Sequence, residues 1–183
     1  MKQGWQDDVL SFWFGELSAD DWYTGKAEVD EQIRSRFSEL YEELKTGLNP
    51  ETIDDPRTAL AAVIVLDQFP RNMFRGQAAA FGTDNLAIEV ARNAMENRLD
   101  HGLTDTEKQF LYMPFMHSEI SADQERCVDL FRSLENEESL KYAIEHRDII
   151  QEFGRFPHRN KALGRETTDA ERKFMEGHAG YGQ

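Results

Sequence analysis

Apolar residues recur along this chain at spacings of three and four positions, which is the period of an α-helix with one buried face. The clearest series is Val29, Ile33, Phe37, Leu40 and Leu44. Gly47 and Pro50 follow this series and are expected to end the helix. No segment alternates apolar and polar residues as a half-buried strand does, so the pattern predicts an all-α fold.

Local start and stop signals divide the chain into further helices. Asp55 followed by Pro56 is an N-cap with a first-turn proline, and it opens a helix expected to end at Pro70. Capping-box sequences occur at Thr104 to Glu107, at Ser121 to Gln124 and at Thr168 to Glu171. Further helical segments cover Val9 to Phe14, Asp84 to Leu99 and Leu140 to Phe153. The chain therefore predicts about seven or eight helices joined by short turns, in a single domain over residues 1–183.

Composition narrows the class of protein. The 183 residues are 39% hydrophobic and 31% charged, as in a folded globular domain, and they carry a formal net charge of −14. That charge argues against nucleic acid and anionic membrane as general partners, because both require a basic surface. Cys127 has no second cysteine to pair with, and no apolar segment is long enough to cross a bilayer. Because the N-terminus also lacks a signal peptide, we expect a cytoplasmic protein.

Arginine and histidine are unevenly distributed along the chain. Three segments, residues 66–76, 112–126 and 146–165, contain seven of the fourteen arginines and three of the five histidines. Together these segments carry a net charge of +2, whereas the whole chain carries −14. A positive, arginine-rich subset within an acidic protein predicts a localised site for an anionic molecule.

The segment from Ala59 to Phe69 is apolar on every side, which is typical of a central, buried helix. Asp67 interrupts it in the last predicted turn, where the helix dipole disfavours a negative charge. A buried carboxylate in that position requires a cation or several hydrogen-bond donors. The available arginines are Arg71, Arg75, Arg155 and Arg159. Two interpretations stay open, a structural clamp at the helix end and a part of a ligand site.

Three histidines and two carboxylates are candidates for proton transfer. They are Asp67, His117, Glu119, His146 and His158. His146 lies within the apolar face of its helix, where a histidine is most often a hydrogen-bonded core residue. His117 and Glu119 follow Pro114, which is expected to interrupt the helix and to leave both on irregular backbone or a new short turn. None of these spacings is typical of a metal site, so we expect no metal and no cofactor.

The densest polar segment follows the glycine that closes a helix, and it reads Arg155-Phe156-Pro157-His158-Arg159-Asn160. It echoes the earlier Gln68-Phe69-Pro70-Arg71-Asn72. Arginine is preferred over lysine where a carboxylate or phosphate is held by two parallel hydrogen bonds. The candidates for ligand binding are Gln68, Arg71, Arg75, Asp123, Gln124, Arg155, Arg159 and Asn160. The alternative is that such residues only bond the free carbonyls at the end of a helix.

Several of these segments resemble a known bacterial family. They are Leu66 to Gly76, Tyr112 to Glu119 with Asp123 to Arg126, His146 to Asp148 and Phe153 to Asn160, together with Phe12 to Glu16 and Leu163 to Thr168. The family is catalogued only as domain of unknown function 924, and the resemblance covers nearly the whole chain except residues 177–183. It implies a tetratricopeptide-like α/α helical array and implies no catalytic residues, because the family has no assigned activity.

Two hypotheses about function follow from the sequence. In the first, the arginines of the two Phe-Pro segments bind a small anionic molecule, a carboxylate or a phosphate, with or without catalysis by the histidines. In the second, a tetratricopeptide-like groove lined by arginine and histidine binds an acidic peptide segment. A third interpretation gives these clusters only the role of locking helix ends.

Overall fold

The computed structural model describes residues 2–177, and within that range the chain forms nine helices and no strands when consecutive pieces of one helix are counted together. The predicted all-α fold is confirmed. The helices are α1 (Trp5–Ser11, continued by the π-helical turn Phe12–Glu16), α2 (Ala19–Tyr23), α3 (Ala27–Gly47), α4 (Pro56–Val63, the π-helical turn Ile64–Gln68 and Phe69–Met73), α5 (Asp84–Glu96), α6 (Asp105–His117), α7 (Ser121–Arg132), α8 (Glu137–Phe153) and α9 (Asp169–Glu176). Short 3₁₀ turns occur at Pro50–Thr52, Ala78–Phe81 and Pro157–Arg159. The end of the chain from His178 onward lies outside the described residues.

Most of the predicted helix boundaries are confirmed. The side chain of Asp55 accepts a hydrogen bond from the backbone N–H of Thr58 at 3.0 Å and so caps α4. Gly154 ends α8 in the left-handed conformation, with φ of 69°. Complete capping boxes form at Thr104 with Glu107 and at Thr168 with Glu171.

The capping box predicted at Ser121 is wrong. Ile120 is the N-cap of α7, and Ser121 is already the first helical residue. The side-chain amide of Gln124 instead donates to the carbonyls of Met116 and Ser118, at 2.7 and 2.6 Å. Gln124 therefore satisfies backbone carbonyls at the C-terminal end of α6 and fixes the junction between α6 and α7.

The expectation that α4 ends at Pro70 is also wrong, because the helix continues to Met73. A proline has no N–H and clashes with the carbonyl four residues before it, here that of Leu66. The π-helical turn widens the helix at this point, and the carbonyl of Leu66 accepts a hydrogen bond from the hydroxyl of Thr83 at 2.6 Å. As a result Asp67 lies inside a widened turn of a longer helix.

Helix α6 also continues past a proline. Pro114 lies inside the helix, which runs on to His117. The expectation that Pro114 leaves His117 on irregular backbone is therefore wrong, whereas Glu119 does lie beyond the helix end. His117 is fixed in a regular last turn, which gives its side chain a defined position.

Helix α4 is the centre of the molecule, as its all-round apolar sequence predicts. It contacts α1, α3, α5 and α6, and every residue from Ala59 to Pro70 is buried. The last three long helices, α6, α7 and α8, pack against one another beside it. Among the described residues no helix is both long and apolar enough to cross a membrane.

Candidate functional site

Asp67 lies at the centre of the candidate site, in the π-helical turn of α4, and its side chain is fully buried. Nδ1 of His117 lies 2.8 Å from one carboxylate oxygen and 3.0 Å from the other. Gln68 donates to the same carboxylate through its side-chain amide, and Nη1 of Arg71 lies 3.4 Å from Oδ1. Burial alone would raise the pKa of Asp67, but Arg71 and His117 outweigh burial and lower it. Asp67 is therefore an ionised carboxylate.

His117 presents its second ring nitrogen on the side away from Asp67. Because an ionised carboxylate only accepts hydrogen bonds, the hydrogen on Nδ1 of His117 is held in place by Asp67. Nε2 makes no hydrogen bond within the described part of the chain, and 12% of the side chain is exposed. Burial lowers the pKa of His117, and Arg71 and Arg159 act in the same direction, against the effect of Asp67. Near neutral pH His117 is thus an uncharged imidazole whose Nε2 can accept a proton.

The two Phe-Pro segments meet at Asp84, the first residue of α5. Arg71, from the first segment, donates to both carboxylate oxygens of Asp84, at 2.8 and 3.0 Å. Arg159, from the second segment, donates to one of them at 3.3 Å. Both guanidinium groups also lie near the ring of Phe81, at 5.6 and 4.7 Å from its centre. The fold therefore joins two arginines that are far apart in the sequence.

Arg159 is the least satisfied cation of this group. Its side chain is 5% exposed, and its ion pair within residues 2–177 is the single 3.3 Å contact with Asp84. Nε of Arg159 is buried and has no hydrogen-bond partner among the described residues. The guanidinium lies between the rings of Phe81 and Phe156, at 4.7 and 4.6 Å. Burial and the neighbouring Arg71 lower the pKa of Arg159 to about 10.

His146 completes the group from α8. Its ring centre lies 6.4 Å from that of His117 and 5.4 Å from that of Phe156. Nδ1 of His146 donates to the carbonyl of Tyr142 at 2.8 Å, and burial lowers its pKa to about 3. His146 is therefore a neutral core histidine. With it the contacts close into a ring of seven side chains, called the inner ring below: Asp67, Arg71, Asp84, Arg159, Phe156, His146 and His117.

Two further candidates for proton transfer border the inner ring at Phe156. The ring centre of His158 lies 5.5 Å from that of Phe156, and its side chain is half-buried. Glu119 accepts a hydrogen bond from the backbone N–H of Phe156 at 2.9 Å and two from Arg165, at 2.8 and 2.7 Å. Burial would raise the pKa of Glu119, but the bonds from Arg165 and Phe156 outweigh it and lower the pKa. Glu119 therefore acts first as the anchor of the loop that carries Phe156.

Arg155 and Asn160 belong to a separate outer cluster at the start of α9. Arg155 donates to both oxygens of Glu171, at 2.6 and 2.9 Å, and Asn160 donates to one of them at 3.2 Å. Arg155 lowers the pKa of the buried Glu171 to about 2. Beside this cluster lies a surface depression of about 540 Å³ lined by Arg155, Arg165, Glu166, Thr167 and Thr168.

The structure places the three remaining ligand-binding candidates outside the inner ring. Arg75 pairs with Asp30 of α3, with its Nη2 at 2.9 Å from the carboxylate. Asp123, near the start of α7, accepts bonds from Arg92 at 2.7 Å and from Ser118 at 2.6 Å. Gln124 is used at the junction between α6 and α7 described above. These interactions connect helices to one another.

Sequence reasoning missed Asp84 and Phe81 as parts of the site. Asp84 follows Gly82 and Thr83 and opens α5. An acidic residue is common at a helix N-terminus, so the sequence gives no reason to assign Asp84 another role. Phe81 ends a short 3₁₀ turn with no chemical signal of its own. The only available hint was that Asp84 is the first acidic residue after the Arg71 segment.

Metal binding and nucleophilic attack by a cysteine are two other kinds of chemistry that the described residues could support. Among them no group of three or more His, Cys, Asp or Glu side chains is placed to hold a metal ion. Cys127 is buried, and burial raises the pKa of its thiol. A thiol with a raised pKa is a poor nucleophile.

Comparison with known proteins agrees with this architecture. The profile of a family described as bacterial protein of unknown function (DUF924) matches residues 9–179, so the chain belongs to that family. Among solved structures the chain is similar to the protein of unknown function ATU0120 from Agrobacterium tumefaciens, with 37% sequence identity, a TM-score of 0.88 and coverage of 94% of this chain and 97% of that chain. No curated protein matches the chain. Family membership assigns no ligand, so function has to be argued from the site itself.

Proposed function

We propose that this member of the DUF924 family binds a small anionic molecule, a carboxylate or a phosphate, at the inner ring. The observation that carries the proposal is the state of Arg159, which is buried, has an Nε without a partner among the described residues and has a lowered pKa. A buried guanidinium presents five donors, and leaving donors unsatisfied costs free energy. An oxyanion beside Arg159 would satisfy them and would remove that cost.

The neighbours of Arg159 fit a binding role better than a clamp role. Asp84 already receives two short bonds from Arg71, so Arg159 adds only a third, longer one. A cation that only locked the helix end would be expected to form an ion pair with a carboxylate that no other arginine shares. Arg155 forms such a pair with Glu171. Asp67 and His117 add a proton acceptor next to the same group, which would allow catalysis on a bound anion.

Binding of an acidic peptide is the weaker alternative. It would use the partly exposed arginines beside the surface depression, Arg155 and Arg165. Each of these is already held by a carboxylate through two short bonds, to Glu171 and Glu119 respectively. A peptide would have to displace those carboxylates. We also propose a cytoplasmic location, on the basis of the single buried cysteine.

Isothermal titration calorimetry with sulfate and with formate tests the proposal. Sulfate represents a tetrahedral phosphate-like group and formate a carboxylate, so the two arms separate the two ligand classes. We expect one of them to bind, and we expect Arg159→Met to weaken binding by about tenfold or more, the effect of losing one charge-assisted hydrogen bond.

The matched control is Arg155→Met, which removes an arginine of the same loop. It should leave the affinity within about twofold, because Arg155 lies outside the inner ring. If neither anion binds, or if both variants bind as the unaltered protein does, the proposal is wrong. Binding of a poly-glutamate peptide that is lost in Arg155→Met alone would favour the peptide alternative.

A further inference from the structure

We infer that the inner ring takes up its anion together with one proton, which is carried by Nε2 of His117. The inference rests on the proposed function, and it names the ligand as a small oxyanion that is bound more tightly as pH falls. It also assigns His117 a direct contact with the ligand.

The position of the exchangeable proton follows from Asp67. Asp67 is ionised and accepts the hydrogen of Nδ1 in both protonation states of His117. The proton that His117 gains or loses therefore sits on Nε2. When His117 is neutral, Nε2 presents a lone pair that would repel an oxyanion. When His117 is protonated, Nε2–H becomes a charged donor that would bind one.

The charge balance of the inner ring favours the same coupling. It contains the guanidiniums of Arg71 and Arg159 and the carboxylates of Asp67 and Asp84, so it is neutral while its histidines are neutral. An anion bound at Arg159 would leave an uncompensated negative charge in a buried place, which is costly. A proton on His117 offsets one unit of that negative charge, and the anion in turn makes that proton easier to bind.

Ionisable groups on several neighbouring elements act on His117. From α4 they are Asp67, which favours the proton, and Arg71, which opposes it. Arg159, on the 3₁₀ turn after α8, also opposes it. An anion on Arg159 would reduce that opposition. From α8, the ring of His146 lies 6.4 Å from that of His117, and it stays uncharged because burial lowers its pKa to about 3.

His146 cannot take over this role. Its Nδ1–H is bonded to a backbone carbonyl, which offers no negative charge, and burial lowers its pKa to about 3. Two imidazoles thus lie side by side with different partners: one is next to a carboxylate and one is next to a carbonyl. Asp67 supplies the first imidazole with a negative charge that favours its protonation.

Proton NMR titration of His117, identified by the signal lost in His117→Gln, tests the inference. The pKa of His117 is measured without anion, with saturating sulfate and with saturating formate, both of which stay ionised above about pH 5. We expect the bound anion to raise the pKa of His117 by about one unit or more. By linkage, a shift of one unit means that the protein with protonated His117 binds the anion about tenfold more tightly than the protein with neutral His117.

Each outcome separates the two proposals. An anion that binds, as judged by calorimetry, without moving the pKa of His117 would overturn the proton coupling and leave anion binding intact. No binding of either anion at about pH 5.5 or about pH 8 would overturn both. In His117→Gln, whose amide can still donate to Asp67, we expect weaker binding with no pH dependence over that range. A His117→Gln protein that keeps the pH dependence of binding would contradict the role of His117, and its unfolding midpoint shows whether it is folded.

Discussion

Arg155 and Arg159 lie in the same loop and have opposite surroundings. Arg155 is partly exposed, and its bonds to Glu171 raise its pKa. Arg159 is buried and has one long ion pair within residues 2–177, and burial lowers its pKa to about 10. The first arginine is held by a carboxylate of its own, whereas the second shares a carboxylate that Arg71 already occupies.

This difference separates a stabilising arginine from one kept for another reason. A saturated ion pair at a helix start accounts fully for Arg155, since it fixes α9 on the loop. The single 3.3 Å contact of Arg159 with Asp84, its one ion pair within residues 2–177, does not offset the cost of burying its charge. Proteins tolerate such groups mainly at functional sites. The comparison therefore makes stability measurements informative about function, because the two arginines should respond oppositely.

The largest expected effect belongs to Asp84→Asn. This change removes the carboxylate shared by Arg71 and Arg159. Arg159 then loses its one ion pair among the described residues, and Arg71 keeps only the 3.4 Å contact with Asp67. We expect the free energy of unfolding to fall by about 3–5 kcal/mol, measured by urea denaturation. Adding Arg159→Met to the same protein should recover part of the loss. No recovery would mean that Arg159 does not depend on Asp84.

The second prediction inverts the usual result of removing an ion pair. Arg159→Met should raise the free energy of unfolding by about 2 kcal/mol or leave it unchanged, because an apolar chain replaces a poorly paired buried charge between two phenyl rings. Arg155→Met should lower the unfolding midpoint, because the buried Glu171 loses its guanidinium partner. A drop of more than about 1 kcal/mol for Arg159→Met would identify Arg159 as a structural clamp.

The third prediction concerns pH. The pKa of His146 is about 3 in the folded protein and near its ordinary value of 6.5 when unfolded. As the pH falls, the unfolded chain therefore binds the proton first. The free energy of unfolding should fall by about 2 kcal/mol from about pH 7 to about pH 5 because of this residue alone. His146→Gln should remove that part of the slope. If the free energy of unfolding of His146→Gln falls with pH as steeply as that of the unaltered protein, His146 is not buried as a neutral group.

The smallest effect is expected away from the inner ring. Arg75→Gln breaks a partly exposed pair with Asp30 and should cost about 1 kcal/mol or less. It should leave the affinity for sulfate or formate unchanged, which makes it a second control for Arg159→Met. A large loss of anion affinity in Arg75→Gln would place the site at Arg75 and not at the inner ring.

The sequence predicted the helices well and the bends in them poorly. Helical spacing and capping residues such as Asp55 and Thr104 act locally, so they can be read without the tertiary structure. Pro70 and Pro114 were expected to end helices, but both lie inside them. The hydroxyl of Thr83 helps to accommodate Pro70 by bonding the carbonyl of Leu66, and that partner is supplied only by the fold.

The candidate site was predictable only in part, for the same reason. The burial of Asp67 and His146 followed from the apolar faces of their own helices. The arginine that pairs with Asp67 could not be predicted, because the sequence offered four arginines and gave no reason to prefer one of them. Among the ion pairs of the described residues, only Arg71 of these four contacts Asp67. Asp84 joins the two Phe-Pro segments through tertiary packing, which no local pattern records.

The most direct test of the central claim is to locate a bound oxyanion in crystals. Selenate can be placed by the anomalous scattering of selenium, and a peak within hydrogen-bond distance of Arg159 and Nε2 of His117 is the predicted result. The same crystals of Arg159→Met should lack that peak. Selenate found only beside Arg155 and Arg165, with the inner ring unchanged at high selenate concentration, would contradict the account.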